Sequence, residues 1–500
     1  MDSFPRTQML KAIFLPFVST SHLIPLVDIA RIFAVHGGVE VTIIATTANA
    51  IIFQSSIDRD ANRGHSIRTH VVKFPQVPGL PQGMESINSS TPKDMAYKVS
   101  EGLSLLKGEF QQLFRDMKPD FIVSDMFYPW TVDAANELGV PRLIYIGGTY
   151  IAHCAMDSLE RFSPHTKVES DSETFLLPGL PHKLEMTRSQ IPDRFKSPND
   201  YFNYVMKMVK ESEEKSFGSI LKSFYALEGA YEDHYKTIRG TKSWNLGPVS
   251  SWANQDASDK ASRGHAKEEE EKGLFAWLDS KAEDSVVYVS FGSMNKFSSA
   301  QLVEIAHGLE DSGYDFIWVV GKIIEGDEDV TGEFLQEFEK RMETSNKGYV
   351  IHGWAPQLLI LEHPATGAVV THCGMNTLIE SVDAGLPMVT WPLFAEQFFN
   401  EKLLVDVLKI GVSVGAKKWK NWSELGNYVV KREDIRKAIA LLMGDEEEYQ
   451  EIRGRVRKLS DASKKAIKIG GSSYNNLKEL IGELKSFKLQ KINGETQAVA

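Results

Sequence analysis

The stretch HPATGAVVTHCGMNTLIESVDAGLPMVTWPLFAEQFFNEK, residues 363–402, alternates short apolar runs with polar or glycine-rich clusters. GAVVTHCG (367–374) is typical of a strand buried on both faces, and MNTLIESVDAG (375–385) has the spacing of a helix that ends on glycine. LPMVTWPLF (386–394) is a second apolar strand. A strand, a helix and a strand in this order form a parallel crossover unit. Several polar residues of the stretch therefore fall at strand ends, where open parallel sheets bind their ligands.

The same alternation of strand and helix runs through both halves of the chain. Further strands are predicted at KAIFLPFV (11–18), VEVTIIAT (39–46), PDFIVSD (119–125), PRLIYIG (141–147), SVVYVSFGS (285–293), DFIWVVG (315–321) and GYVIHGWAP (348–356). Helices are predicted at 22–37, 130–139 and 300–313. Because 500 residues exceed what one ordinary core supports, we predict an α/β fold of two Rossmann-like, doubly wound parallel-sheet domains facing a cleft.

The lapses in this pattern suggest domain boundaries. Residues 245–275 are polar and charged with little periodicity, and the run Glu268 to Glu271 is typical of a solvated face or linker. The predicted parts are an N-terminal domain (1–245), an interdomain linker (246–275), a C-terminal domain (276–458), a helix that packs back on the N-terminal domain (459–487) and a mobile polar tail (488–500).

The composition argues against several classes of protein. A net charge of −11 disfavours binding to nucleic acid or to an anionic membrane, so any bound phosphate must be held by local geometry. The two cysteines, Cys154 and Cys373, indicate a reducing compartment rather than a disulfide framework or a zinc site. The N-terminus lacks the pattern of a signal peptide, and no run approaches the roughly 18 apolar residues of a membrane helix. We therefore expect a cytoplasmic protein.

Two strand-end residues in the first half could form a catalytic pair. His22 follows the first strand, and Asp125 is the last residue of FIVSD. An aspartate bonded to one imidazole nitrogen fixes the tautomer and makes the other nitrogen a better general base for a substrate hydroxyl. Alternatively, His22 is a helix N-cap and Asp125 caps the following loop. The spacing alone favours neither interpretation.

Polar residues in the second half crowd the start of one helix. A helix N-terminus offers free N–H groups and the positive end of a dipole, which suit a diphosphate. Ser293, at the end of another strand, could donate a hydrogen bond to the diphosphate from the opposite side. Glu380, one turn into the helix, could accept hydrogen bonds from ribose hydroxyls. The residues at the helix start are His372, Gly374, Asn376 and Thr377. Capping explains each of them singly, but their convergence favours a ligand site.

Three further residues are candidates for base and sugar recognition. Trp354 follows a strand, where its ring could stack on a base, although a core tryptophan is the favoured explanation for this residue taken alone. Glu396 and Gln397 open the next helix and could together bind neighbouring sugar hydroxyls. Neither half carries GxGxxG after its first strand, and in the first half STSH follows that strand instead. This disfavours a nicotinamide or flavin dehydrogenase.

Taken together, these residues resemble the plant UDP-dependent glycosyltransferases of family 1, which have the GT-B fold. The family's C-terminal box corresponds here to WAPQLLILEHPATGAVVTHCGMNTLIESVDAGLPMVTWPLFAEQ, 44 residues from Trp354 to Gln397 without a gap. LPFVSTSHLIPLVDIARIFA (15–34) is similar to the family's histidine-bearing opening, and PDFIVSDMFYPW (119–130) to its aspartate-bearing strand. The resemblance therefore covers essentially the whole chain.

The resemblance implies a role for each candidate. His22 would be the general base and Asp125 its partner, in an inverting displacement that needs a UDP-sugar as co-substrate and neither a metal nor another cofactor. The residues implied to bind the UDP-sugar are Trp354 (stacking on uracil), Ala355 (base edge), Gln357 and Glu380 (ribose), His372, Asn376, Thr377 and Ser293 (diphosphate), Gly374 and Met375 (the same helix start), and Glu396 and Gln397 (donor sugar). Thr149 and Arg31 are implied as further sugar contacts.

The sequence departs from the family pattern at three positions. HCGMNT replaces the usual HCGWNS, so Met375 removes an aromatic wall while Thr377 keeps the hydroxyl. Ser21 replaces the usual glycine before the catalytic histidine, and Glu396 replaces the commoner aspartate. We expect activity to survive, because much of the donor contact at the Met375 position is through the backbone in this family.

Four segments resemble the legume branch that glycosylates triterpenoid saponins: STSHLIPLVDIARIFA, LPGLPHKLEMTRSQIPD, YKTIRGTKSWNLGPVSSWANQD and GGSSYNNLKELI. This predicts transfer of a hexose to a triterpenoid aglycone or saponin sugar, with a flavonoid or phenolic acceptor as the alternative. Gln397 favours glucose, Arg31 would suit glucuronic acid second, and galactose ranks third. A catalytically degenerate GT-B protein that only binds UDP-sugar or triterpenoid is the alternative of another class. The resemblance also implies a monomer.

Overall fold

The computed structural model describes residues 9–88, 91–197, 201–261, 263, 268–320, 328–426, 428–444 and 446–499. Strands before residue 246 are short and mostly buried: β1 Lys11–Leu15, β2 Glu40–Thr46, β3 Ile67–Val72, β4 Phe121–Asp125, β5 Arg142–Tyr145, β6 Thr174–Leu176, β7 Glu185–Thr187, β8 Gly218–Leu221 and β9 Ser243–Asn245. The later strands are β10 Val286–Ser290, β11 Asp315–Val320, β12 Gly348–His352, β13 Thr366–Thr371, β14 Met388–Thr390 and β15 Gly411–Ser413.

These strands form two parallel sheets and one small antiparallel ribbon. The first sheet has the order β3-β2-β1-β4-β5-β8-β9, the second has the order β12-β11-β10-β13-β14-β15, and β6 pairs with β7. Buried β-branched runs such as those of β2 and β13 suit sheets that helices cover on both faces. We call the two sheets with their helices the first lobe and the second lobe. This architecture confirms the predicted α/β fold class.

The order of the strands locates the binding edge in each lobe. Strand order reverses between β1 and β4 in the first sheet and between β10 and β13 in the second. At such a reversal the connections leave in opposite directions, and a crevice opens outside the carboxyl ends of the two strands. His22 and Asp125 lie at the first reversal, while Ser293 and His372 lie at the second. The topology therefore brings residues that are distant in sequence to one edge.

Helices cover both sheets and connect their strands. They are α1 Thr20–Val35, α2 Thr47–Ile51, α3 Gln54–Asn62, α4 Lys93–Leu105, α5 Lys107–Met117, α6 Thr131–Glu137, α7 Tyr150–Phe162, α8 Tyr201–Glu214, α9 Tyr225–Arg239, α10 Val249–Ala253, α11 Ala257–Ala261, α12 Glu268–Asp279, α13 Ser299–Ser312, α14 Glu328–Ser345, α15 Gln357–Glu362, α16 Met375–Ala384, α17 Gln397–Lys402, α18 Arg432–Met443, α19 Glu447–Ala466 and α20 Ser472–Val499. Among the described helices, none combines the length and the hydropathy that crossing a membrane requires.

The C-terminal region differs from its prediction. The helix predicted over 459–487 is two helices, α19 and α20, which are broken where Gly470 adopts a left-handed φ of 85°. Helix α19 packs on α16 of the second lobe, whereas Leu477, Leu480 and Leu484 of α20 pack into the core of the first lobe. The predicted tail at 488–500 continues α20 to Val499, and residue 500 lies outside the described residues.

The predicted linker also contains regular structure. Residues 246–275 include α10, α11 and the start of α12, while residues 262 and 264–267 lie outside the described residues, as does the last residue of the strand predicted at 315–321. Trp252 of α10 is buried in the first-lobe core, which holds the start of this connection in place. Strands β3, β6, β7, β8, β9 and β15 were not predicted. Strand β8, GSIL, has only four residues and follows polar sequence, so periodicity alone could not distinguish it from a loop.

Candidate active site

A large cleft runs between the carboxyl edges of the two sheets. Its volume is about 1510 Å³, and residues of both lobes line it. The lobes are joined by hydrogen bonds: Thr149 Oγ1 donates to Asn400 Oδ1 at 2.6 Å, and Asn376 Nδ2 donates to the carbonyl oxygen of Ser21 at 3.2 Å. Residues from both halves of the sequence can therefore act on one ligand.

His22 and Asp125 form a direct pair at the first-lobe edge. His22 Nδ1 lies 2.8 Å from Asp125 Oδ2; the Asp125 side chain is fully buried, and that of His22 is 19% exposed to the cleft. The other carboxylate oxygen accepts a hydrogen bond from the Phe127 N–H at 3.0 Å. A Cβ atom at Gly147 would lie 2.8 Å from His22 Cε1, so glycine makes room for the imidazole. His22 is thus oriented with one nitrogen available to a substrate.

The structure also decides between the two interpretations of these residues. Helix α1 begins at Thr20 and its N-cap residue is Ser19, so His22 does not cap the helix. Asp125 does accept a backbone N–H of the following turn, as the capping interpretation predicted, but its second oxygen faces His22. The carboxylate therefore both holds the turn and orients the imidazole.

The start of helix α16 forms the second-lobe edge. Gly374 is its N-cap residue, and Met375, Asn376 and Thr377 form its first turn, with all four lining the cleft. The preceding Cys373 has a left-handed φ of 63°, and Asn400 Nδ2 donates to its carbonyl oxygen at 2.7 Å. Such a conformation in a non-glycine residue persists only where its surroundings enforce it. The turn therefore aims the free N–H groups of the helix at the cleft.

His372 lies beside that helix start and is neutral near pH 7. Burial lowers the pKa of its imidazole to about 4. Its Nδ1 atom has no hydrogen-bond partner among the residues that the structure describes. A Cβ atom at Gly374 would lie 2.3 Å from His372 Nε2, so any side chain there would displace the ring. Ser293 lines the cleft after β10, on the neighbouring strand of the sheet.

Trp354, Ala355, Gln357 and Glu380 line the adjoining part of the cleft. Gln357 Nε2 donates to Glu380 Oε2 at 2.5 Å, which confirms that these two side chains meet although their helices are separate in sequence. Ala355 is buried and packs with the core of the second lobe. Trp354 is only partly buried and donates from Nε1 to a backbone carbonyl, so it is not a core tryptophan.

Arg263 engages this region and was not predicted from the sequence. Its guanidinium contacts Glu380 Oε1 at 2.7 Å and Asp28 Oδ2 at 3.0 Å, and its carbonyl oxygen accepts the Trp354 Nε1–H bond at 3.0 Å. Burial raises the pKa of Asp28 despite this partner, so the pair is strongly desolvated. One residue of the interdomain connection thus links both lobes at the site. Its position in a polar segment without periodicity offered no signal.

Glu396 and Gln397 follow β14, after a turn in which Ala395 has a left-handed φ of 50°. Both side chains line the cleft. Gln397 Oε1 accepts the backbone N–H groups of Leu393 and Phe394 at 2.9 and 3.0 Å, which holds its amide in a defined orientation. Glu396 begins α17 as its N-cap residue without a side-chain cap bond, so its carboxylate is not used by the helix.

The structure does not bring the two remaining candidates to the cleft surface. Thr149 is completely buried, caps α7 by accepting the Ala152 N–H, and donates to Asn400 across the lobes. Arg31 is 2% exposed and pairs with Asp60 at 2.6 Å in a buried ion network. A helical arginine whose stem faces the core needs such carboxylate partners. Both side chains therefore form buried contacts within the protein.

Lys222 is a second cleft residue that the sequence analysis missed. It follows β8 directly, is buried, and donates from Nζ to Asn376 Oδ1. Burial lowers the pKa of its ammonium to about 8. The strand-end rule would have selected Lys222 if the short strand β8 had been recognised.

Comparison with known proteins identifies several that are similar to this chain. A family profile described as UDP-glucoronosyl and UDP-glucosyl transferase matches residues 163–449. The soyasapogenol B glucuronide galactosyltransferase of Glycine max is 63% identical over 489 residues, covering 97% of this chain and 98% of that protein. The anthocyanin 3'-O-beta-glucosyltransferase of Gentiana triflora is 42% identical over 481 residues, covering 96% and 99%. The crystal structure of Glycyrrhiza uralensis UGT73P12 complexed with glycyrrhetinic acid 3-O-monoglucuronide is 64% identical, has a TM-score of 0.95, and covers 98% of this chain and 99% of that one.

Proposed function

This chain belongs to the UDP-glucoronosyl and UDP-glucosyl transferase family, and we propose that its acceptor is a triterpenoid that already carries glucuronic acid. The enzyme is a UDP-dependent glycosyltransferase of GT-B fold, as the sequence predicted. Two proteins that share nearly two thirds of its residues support this acceptor class. One is named for soyasapogenol B glucuronide, and the other was crystallised with glycyrrhetinic acid 3-O-monoglucuronide.

The size and lining of the cleft are the observation that carries this acceptor. Ordinary ligand pockets enclose about 300–1,000 Å³. The cleft of about 1510 Å³ exceeds that range, as two substrates side by side require. Apolar side chains from both lobes line the cleft, among them Phe127, Met156, Met206 and Phe394. Such walls suit a rigid hydrocarbon skeleton better than a small phenolic ring.

In the proposed reaction His22 accepts the proton of an acceptor hydroxyl as that oxygen attacks the anomeric carbon. Asp125, at 2.8 Å, holds the imidazole and stabilises the imidazolium that forms. The bond between the anomeric carbon and UDP breaks on the opposite side, so an α-linked donor gives a β-glycoside. No step of this scheme requires a metal ion.

The donor would lie along the second-lobe edge. Trp354 would stack on uracil and Gln357 and Glu380 would hold ribose, while the start of α16 with His372 and Ser293 would bind the diphosphate. His372 lines the cleft beside this helix start and is neutral near pH 7, so an imidazole N–H can donate to a phosphate oxygen, which supports this placement. Glu396 and Gln397 would then face the hexose.

The donor sugar is glucose, galactose or glucuronic acid, and the site residues support these three UDP-sugars unequally. Gln397 favours UDP-glucose, by the family pattern, and its fixed amide supports a specific sugar contact. UDP-galactose is the donor suggested by the name of the Glycine max relative. UDP-glucuronic acid was expected from Arg31, and the burial of Arg31 in an ion network removes that support. We propose UDP-glucose first.

A matrix of donors and acceptors tests the function. Each UDP-sugar is combined with a triterpenoid monoglucuronide, its aglycone and a flavonol, and products are identified by mass spectrometry. We expect the monoglucuronide to have the highest kcat/KM and His22→Ala to lower kcat by about 10²- to 10⁴-fold, the contribution of a general base. A higher kcat/KM for the flavonol would favour the phenolic alternative, which the Gentiana triflora relative represents. UDP release equal in wild type and His22→Ala for every pair would indicate a protein that only binds.

We also propose that the enzyme acts as a cytoplasmic monomer. Cys154 and Cys373 are free thiols buried in different lobes, which suits a reducing compartment. All of the residues proposed to act come from one chain, so no second copy is needed to complete the site. Size-exclusion chromatography with light scattering tests the oligomeric state.

A further inference from the structure

Lys222 is a buried cation in the cleft that the proposed reaction does not yet use. It stands on the carboxyl edge of the first sheet and is 4% exposed. Its Nζ donates to Oδ1 of Asn376, and Nδ2 of the same amide donates to the carbonyl oxygen of Ser21 at 3.2 Å. Asn376 lies in the first turn of α16. The ammonium group of this first-lobe lysine therefore lies at the start of α16, where the diphosphate is proposed to bind.

The charge balance of this part of the cleft is unfavourable for a phosphate without Lys222. The proposed diphosphate ligands carry no charge: His372 is neutral near pH 7, because burial lowers its pKa to about 4, and the others are a serine, an asparagine and a threonine. The charged groups that face Lys222 are Glu396, Glu380, Asp125 and Arg263, and Arg263 is already bonded to Glu380. A diphosphate would add negative charge to a largely acidic, desolvated site, which is costly unless a cation compensates.

We propose that Lys222 binds the diphosphate of the UDP-sugar and stabilises the negative charge on the departing UDP. This inference rests on the donor placement proposed above. In the transfer step the acceptor oxygen bonds to the anomeric carbon while the bond from that carbon to the β-phosphate oxygen breaks. The electron pair of the broken bond remains on UDP, and the acceptor proton passes to His22. Charge therefore grows on the phosphate as the reaction proceeds, where a fixed ammonium stabilises the transition state.

Binding of UDP and of uridine to single variants tests this role directly. Calorimetry compares wild type with Lys222→Met, which keeps the shape without the charge, with Lys222→Arg, and with Lys437→Met, a matched change of an exposed lysine on α18 that does not line the cleft. We expect Lys222→Met to raise the Kd for UDP by about 10- to 100-fold, the range of a hydrogen bond to a charged group. The Kd for uridine should stay within twofold in all variants. Lys222→Arg should recover most of the loss, and Lys437→Met should match wild type.

A pH profile and steady-state kinetics separate this role from a structural one. Because burial lowers the pKa of Lys222 to about 8, UDP affinity of the wild type should decline between pH 7 and 8.5, below the range in which the uracil N3–H ionises, and that of Lys222→Met should not. The kcat of Lys222→Met at saturating UDP-sugar should also be lower than that of the wild type. Equal loss of UDP and uridine affinity, or no loss of either, would overturn the proposal. A rise confined to the KM of an anionic acceptor would instead assign Lys222 to the acceptor.

Two features keep the test decisive. UDP binding requires no acceptor, so an error in the proposed acceptor leaves the result intact. If Lys222→Met does not fold by circular dichroism, Lys222→Gln and the wild-type pH profile answer the same question, and an affinity for UDP that does not change across pH 7–8.5 in wild type would contradict the proposal.

Discussion

Replacing Asp125 by asparagine removes one charge from the His22–Asp125 pair with little change in shape. The carboxylate lies 2.8 Å from His22 Nδ1 and is fully buried. At an effective dielectric constant of about 20, unit charges about 4 Å apart attract by about 4 kcal/mol. Because the proton is only partly transferred in the transition state, we expect about 2–4 kcal/mol of that stabilisation to be lost. The corresponding decrease in kcat is about 30- to 1,000-fold.

A second effect acts in the same direction. The asparagine oxygen can still accept the Phe127 N–H, which places the amide NH₂ toward His22. His22 Nδ1 would then accept that hydrogen bond, and its proton would move to the nitrogen that should act as the base. The wrong tautomer cannot take a proton from the acceptor. We therefore expect the decrease to approach the upper end of the range.

The assay is kcat for a triterpenoid monoglucuronide at saturating UDP-sugar, with UDP affinity as the control. Asp125 does not belong to the proposed UDP site, so the Kd of UDP should stay within twofold. The double variant with His22→Ala should be no slower than His22→Ala alone, because both changes remove one function. Retention of more than a third of the wild-type kcat by Asp125→Asn would refute the dyad.

Three further perturbations test the donor site and the core. Trp354→Ala should raise the Kd of UDP by about 5- to 150-fold, the range for stacking of one base on an aromatic ring, and Trp354→Phe should retain most of the affinity; unchanged binding in calorimetry would exclude stacking. Met375→Trp should lower the free energy of unfolding in urea by about 1–3 kcal/mol, because the methionine is 3% exposed within the second-lobe core, and should leave the ranking of donors unchanged. A changed ranking would mean that this side chain contacts the sugar. Burial raises the pKa of Glu401 to about 7, so its neutral form stabilises the fold. That contribution is complete below the ordinary value of 4.5 and is lost as pH rises through about 7. The stability of Glu401→Gln relative to wild type should therefore rise by up to about 3 kcal/mol between pH 4.5 and 8, and parallel urea profiles would contradict this.

Much of the fold and most of the site were predictable because they depend on local patterns. Continuous β-branched runs require burial on both faces, and the helices between them require parallel crossovers, so the two sheets follow from periodicity. The strand-end rule then selected His22, Asp125 and His372 without any knowledge of contacts. Short strands escaped prediction since four residues carry too little periodicity, and Lys222 was missed together with β8.

The residues that prediction misplaced are those whose surroundings come from distant parts of the chain. Arg31 lies on the helix that was predicted, but its partner Asp60 is on α3, and only packing shows that the guanidinium points into the protein. Thr149 bonds Asn400 across 251 residues. The C-terminal sequence pattern predicted one helix. The break at the two glycines is evident only in the structure, where the helices on either side of it pack on different lobes.

The sequence by itself determined which residues can do chemistry here, since the period of apolar residues and the chemistry of strand ends are properties of short segments. Only the tertiary structure decided how those residues are used: that Asp125 faces His22, that Glu380 is shared by Gln357 and Arg263, and that a first-lobe ammonium reaches a second-lobe helix. Side chains have several rotamers, and the one adopted depends on partners that the chain brings together from far away. Long-range packing therefore converts a set of candidate residues into one cleft with defined charges.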